Sequence, residues 1–158
     1  MKITEGSGQA WVFAGVYASL NHVERRELWH NLGQLVNGGL PVCFVGDFNI
    51  LTEPSEKRGG LFKESLEVLE FCDFLMDNGL LDLSFIGPPF TWVNMHQGQK
   101  RIWDRLDRGV CSPEWKSCHP ASSMQHLARI AKDYRMLLLR LQGGDFSGPK
   151  PFHFRQIW

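Results

Sequence analysis

Apolar and polar residues alternate from residue 11 to 19, with Val12, Ala14, Val16 and Ala18 on one side, and this period of two predicts a β-strand. Asn21 then reads as a helix cap, with Glu24 three residues on as in a capping box. Leu28, Trp29, Leu32, Leu35 and Val36 form one helical stripe, stopped by Asn37-Gly38-Gly39. A short apolar strand follows over 41–45, then a polar loop over 52–60. Val68, Leu69, Cys72, Leu75 and Met76 recur on one face of a second helix, closed by Asn78-Gly79. Beyond it the helical period disappears. Residues 80–85, 90–94, 102–110, 122–127 and 134–141 all read as strands separated by turn residues. Strand, helix, strand and then a strand-rich half describe a mixed α/β layered fold. The alternation is not regular enough for a doubly wound sheet or a TIM barrel. The Gly-rich stretch 143–150 has the composition of a linker.

Composition sets bounds on this picture. A chain of 158 residues is one domain's worth, long enough to bury a real core. Six Trp and eleven Phe imply either a well-filled core or aromatics held back for stacking on a ligand. Basic and acidic residues balance at 17 each, so the strongly basic signature of a nucleic-acid binder is absent. That weighs against tight electrostatic DNA binding by this chain alone but leaves room for a local basic cleft. Lys57-Arg58 and Lys100-Arg101 are either the charges of such a cleft or ordinary solvated loop residues. Cys43 and Cys72 sit in apolar patterns, where a free thiol acts as a small hydrophobe. Cys111, Cys118, His119 and His126 have a spacing that fits no usual zinc finger or ribbon. With no signal peptide at residue 1 and no apolar run of membrane-spanning length, the expected compartment is intracellular, nuclear or cytoplasmic.

The chemistry concentrates at Gly46-Asp47-Phe48-Asn49, where the apolar run Val42-Cys43-Phe44-Val45 stops on polar residues. An Asp at a strand end can take a proton from water, and an Asn can hold an oxyanion or orient a phosphate oxygen. A strand that ends in an Asx turn gives the same letters.

Four stretches, taken together, carry a resemblance. They are Val16-Tyr17-Ala18 with Arg26-Glu27-Leu28-Trp29; Val45-Gly46-Asp47-Phe48-Asn49 with Glu56-Lys57-Arg58-Gly59-Gly60; Gly79-Leu80-Leu81-Asp82-Leu83 with Gly87-Pro88-Pro89-Phe90-Thr91-Trp92 and Arg105-Leu106-Asp107-Arg108; and His126-Leu127 leading to Asp133 and Leu137-Leu138-Leu139. In order and spacing they resemble the endonuclease/exonuclease/phosphatase superfamily, above all the endonuclease domain of plant-type non-LTR retrotransposons. The resemblance implies a four-layered α/β sandwich, two packed mixed sheets flanked by helices. It also implies cleavage of phosphodiester bonds in DNA with a divalent metal, usually Mg2+. By family role, Asp47 activates the attacking water, Asn49 helps hold the phosphate, and Tyr17 hydrogen-bonds the phosphate region. Asp107 matches the aspartate that orients a catalytic histidine, and Asp133 the aspartate before that histidine, near the metal. The segment from Lys150-Pro151-Phe152 to Trp158 resembles the run that leads towards a reverse transcriptase region in such polyproteins.

Two departures shape the expectation. The family closes on Ser-Asp-His, whereas this chain reads Lys132-Asp133-Tyr134, so Tyr134 stands at a degenerate catalytic position. Tyrosine, with an ordinary pKa near 10, supplies no cation at neutral pH. The family also carries a metal-binding glutamate and an early asparagine on strands before the one at Trp11, where this chain offers only Glu5. The resulting expectation is an unmatched segment at 1–10, a partial domain at 11–141 lacking its first strands, and a linker-like tail at 142–158. Magnesium binding is expected to be weak or lost, and the domain inactive. The alternatives are a non-catalytic nucleic-acid-binding module, using Arg58, Trp92, Lys100 and Arg101, and an active phosphoesterase of the same superfamily. For Trp92 and Trp103, stacking on bases stands beside plain core packing.

Overall fold

The computed structural model describes residues 1–94, 96–129 and 135–141. In chain order these form β1 (Lys2–Thr4), β2 (Ala10–Tyr17), α1 (His22–Val36), β3 (Val42–Asp47), β4 (Lys57–Arg58), α2 (Leu66–Asp77), β5 (Leu81–Asp82), β6 (Phe85–Ile86), β7 (Trp92–Val93), β8 (Trp103–Asp104), β9 (Asp107–Cys111), α3 (Pro113–Cys118), β10 (Ser123–Arg129) and β11 (Arg135–Arg140). The main sheet runs β1-β2-β3-β9-β5, with β2 and β3 parallel and the other pairs antiparallel. A second sheet runs β11-β10-β6, and a small third one β4-β8-β7.

Both faces of β3 are covered, which is why its sequence is a continuous apolar run rather than an alternation. Val42 and Phe44 face a cluster with Val16, Val110 and the helix residues Trp29, Leu32, Val68, Phe71 and Phe74. Cys43 faces the other way, into a cluster with Trp11, Cys111, Trp115 of α3, Leu83 and Met124 of β10. Helices, main sheet and second sheet are thus stacked in layers, the mixed α/β sandwich the pattern predicts. Ion pairs from Arg25 to Glu67 and from Arg26 to Glu70 tie α1 to α2.

Asn21 caps α1 by accepting from the Val23 N–H at 2.9 Å, and Ser65 caps α2. The face of α2 differs from the expected one. Phe71 and Phe74 turn inward with Val68, while Leu69 and Met76 are exposed. Trp29 decides the rotation, because its ring packs on Phe71 at 4.8 Å and stacks on Phe74 at 5.4 Å between centroids. Three further differences come from short elements. Residues 2–4 pair with β2 ahead of the first expected strand. Residues 80–85 and 102–110 each break in two and serve different sheets. A helix over Pro113–Cys118, capped by Ser112 with Pro at its first position, adds Trp115 to the core.

Candidate phosphodiester site

Strand order brings the site together. Because β2 and β3 are parallel, Tyr17 and Asp47 leave the sheet at the same edge as register partners. Because β9 runs antiparallel to β3, its first residue, Asp107, is paired with Asp47. Tyr17, Asp47 and Asp107 therefore form one row across three adjacent strands. Gly46 makes this crossing possible. Its φ is 149°, and a Cβ there would lie 2.0 Å from the Val16 carbonyl oxygen.

The Gly-Asp-Phe-Asn stretch folds as the Asx turn that its letters allow. The Asn49 N–H donates to Asp47 Oδ1 at 2.8 Å, an Asx turn, with Asn49 itself at φ 53°. The Asn49 side-chain amide donates to the Ala18 carbonyl at 3.0 Å, which pins the turn to the end of β2. Phe48 is buried between these polar neighbours and stacks on Trp29.

Burial pushes the Asp47 carboxyl up to about 6, with the Asp107 charge adding to the rise and the Asn49 N–H opposing it. Asp107 is also raised by burial, and a Thr91 hydrogen bond and the Arg108 charge pull it part of the way back. Thr91 is itself buried and accepts from the Leu106 and Asp107 N–H groups at 3.0 Å each. Two neighbouring carboxylates, both raised by burial, are costly to ionise, and such perturbed pairs cluster at functional sites.

The row opens into a cleft of about 520 Å³ lined by Tyr17, Leu20, Asp47, Asn49, Leu61 and Trp92, among others. The small third sheet forms one wall, contributing Trp92, Asp104 and Lys57, whose Nζ pairs with Asp104 at 3.0 Å. Arg58 is exposed on the same sheet, opposite Trp103. Lys100 is exposed in the turn before β8, and the Arg101 guanidinium lies 4.7 Å over the Trp103 ring. Asp133 and Tyr134 lie outside the described residues.

Sequence reasoning missed the support beneath the cleft floor. Arg105 and Arg108 flank Asp107 and are both buried, and Glu56 joins them. Glu56 accepts from Arg105 Nη1 at 2.8 Å and from Arg108 Nη1 and Nη2 at 3.1 and 2.8 Å. Asp82 takes the remaining ends, at 2.7 Å from Arg105 and 3.2 Å from Arg108. The available signal was an arginine next to the apolar run Gly109-Val110-Cys111, since a buried guanidinium demands a carboxylate. Glu5 lies elsewhere, against His119 Nε2 at 2.7 Å and Trp11 Nε1 at 3.0 Å, where it clamps β1 to the end of α3. Its hydrogen bond to His119 is the main cause of a pKa below the usual range. Cys111 is buried, Cys118 is exposed, and His126 reaches the Pro88 carbonyl. Among the described residues no three His, Cys, Asp or Glu side chains cluster as metal ligands, and no helix is long and apolar enough to cross a membrane.

No protein-family model and no curated protein matches the chain. Solved structures do share its fold. The endonuclease domain of TRAS1, a telomere-specific non-LTR retrotransposon, superposes with a TM-score of 0.62 at 14% identity, over 87% of this chain and 60% of that one. A 3′–5′ exonuclease (NExo) from Neisseria meningitidis gives 0.60 at 17% identity, over 87% and 62%. Beta toxin from Staphylococcus aureus gives 0.53 at 14% identity, over 89% and 52%. The chain thus spans between about half and three-fifths of the length of these neighbours. Its fold is that of the endonuclease/exonuclease/phosphatase group.

Proposed function

We propose that this chain is a nucleic-acid phosphodiesterase domain of retroelement origin whose catalytic set is incomplete, so that it engages a phosphodiester without appreciable turnover. The observation that carries the reading is Asp47, a carboxylate raised to about 6 at the floor of a cleft, beside its register partner Asp107. A base with a pKa close to the working pH is what removal of a proton from water requires. Asn49 spends one amide N–H on Ala18 and keeps a second for a phosphate oxygen. Tyr17, exposed at the cleft mouth, offers its hydroxyl to the same group.

Incompleteness rests on Lys132-Asp133-Tyr134, which puts a neutral phenol where the resemblance calls for an imidazole. Asp107 then has Asp47, Thr91 and Arg108 among its neighbours in place of an imidazole. Loss of one general acid or base lowers a rate by roughly 10²–10⁴.

The donor set fits a magnesium ion in a limited way. Mg2+ is commonly held by one or two carboxylates plus substrate phosphates, and the hard oxygens of Asp47 and Asp107 would hold it and be relieved of their mutual repulsion. Bound there, it would neutralise charge developing on the phosphate. In the parent polypeptide, DNA is the proposed substrate and a reverse transcriptase region the proposed companion.

The test incubates supercoiled plasmid with the protein and magnesium, beside the TRAS1 endonuclease domain as a comparator. The expected result is nicking at the level of Asp47→Ala and at least ~10²-fold below the comparator. Robust nicking that Asp47→Ala abolishes would overturn the incomplete-site reading.

A further inference from the structure

The lining of the cleft also bears on the form of nucleic acid it takes, an inference that rests on the phosphodiester reading above. A duplex is gripped through its phosphates, and its affinity scales with the number of cations brought to them. Two lysines line this cleft, Lys57, already paired with Asp104, and the exposed Lys63, and two carboxylates, Asp47 and Asp104, match them, with Asp107 paired in register to Asp47. The rim is instead apolar and open to solvent. Leu61 is 84% exposed, Leu20 83% and Tyr17 77%, around a cavity that also presents Trp92. Side chains this apolar and this exposed at the mouth of one cavity mark a surface waiting for an apolar ligand. The cavity, about 520 Å³, is of the size that encloses one small organic ligand. A double helix, far larger than this cavity, could only rest across its mouth.

We infer that the cleft takes an unpaired nucleotide, with the base seated among Leu20, Leu61, Tyr17 and Trp92 and its phosphate directed to Asn49. Every base has an apolar π-face that stacks on aromatic side chains, and an unpaired one is free to turn that face into a cleft. Base burial then replaces phosphate neutralisation as the main source of affinity, which agrees with a chain of zero net charge. Arg101 and Lys100, on the turn beside the Trp92 wall, would meet the backbone of the flanking nucleotides.

The test is fluorescence anisotropy with a labelled mixed-sequence oligonucleotide of about 12 nucleotides, alone and annealed to its complement, with EDTA present to prevent cleavage. The single strand should bind at least ~10-fold tighter than the duplex. Leu61→Ser, whose side chain touches no core, and Trp92→Ala should each weaken single-strand binding roughly 10-fold and leave duplex binding unchanged. Equal or tighter binding of the duplex overturns the inference while leaving the phosphodiester reading intact. Binding of neither form overturns both.

Discussion

Glu56→Ala is the sharpest test of how the cleft floor is held. The Glu56 side chain is 4% exposed and accepts four hydrogen bonds: one from Arg105, two from Arg108 and one from the Thr52 N–H at 2.7 Å. Without it, Arg108, which is 0% exposed, keeps Asp82, the Ile50 carbonyl and Thr52 Oγ1, and Arg105 keeps only Asp82 among the carboxylates of the described residues. Two buried guanidinium groups would then share a single, partly solvated carboxylate. Breaking a buried pair by removing one partner costs about 3–5 kcal/mol, against a total stability of about 5–15 kcal/mol for a domain of this kind. In urea, followed by tryptophan fluorescence at pH 7, the midpoint should fall by about 1–3 M with the slope unchanged. Glu53→Ala, exposed on the same loop, serves as control and should stay within about 0.5 kcal/mol of the parent. The pH dependence has a definite sign. Burial raises the Glu56 carboxyl, but the charge and hydrogen bonds of Arg108, the Thr52 N–H and the Arg105 charge outweigh it and hold the pKa below the usual range. Its contribution is therefore complete above the unfolded carboxylate's pKa and is lost as pH falls through the folded value, so parent and variant should converge in acid. A loss below about 1 kcal/mol at pH 7 would mean that the network is solvated and the reasoning wrong.

Asp47→Asn should stabilise the fold at pH 8. The raised carboxyl costs stability as pH climbs from its unfolded value through about 6, so the gain is on the order of 1–3 kcal/mol above that window and absent below pH ~4. Thermal unfolding at pH 8 and pH 4 reads it, and a less stable variant at pH 8 contradicts it. Gly46→Ala should cost about 2–4 kcal/mol or prevent folding, because its Cβ would collide with the Val16 carbonyl at a φ that alanine resists. A near-neutral result in urea unfolding would mean that β2 and β3 diverge at this point.

What was legible in the sequence follows from which forces leave periodic marks. The two long helices announce themselves through their apolar stripes, the first also through its Asn21 cap, and β3 through its continuous apolar run. The row Tyr17–Asp47–Asp107 was not legible in local pattern, since strand register across residues 17, 47 and 107 is not a local property. Local pattern failed where elements are too short to show a period. Lys2–Thr4 is three residues long, and the Pro113–Cys118 helix barely exceeds one turn. It failed again at Arg105-Leu106, where the chain leaves one sheet for another inside an apparently continuous strand. The Glu56–Arg105–Arg108 hub was invisible for a different reason. Charged residues in sequence look like solvated surface, and their partners here are 49 and 52 residues away.

The site rests on Asp47 and Asp107 standing side by side as half-buried carboxylates at paired strand ends, Asp47 lining the cleft. Carbon-13 NMR titration of the aspartate carboxyls, with Asp47 assigned through Asp47→Asn, tests it most directly. The expected result is an Asp47 midpoint near 6 that falls part of the way when Asp107 is replaced by Asn, burial, the larger cause, holding the rest. An Asp47 midpoint near 4 in the parent protein, unmoved by Asp107→Asn, would contradict it.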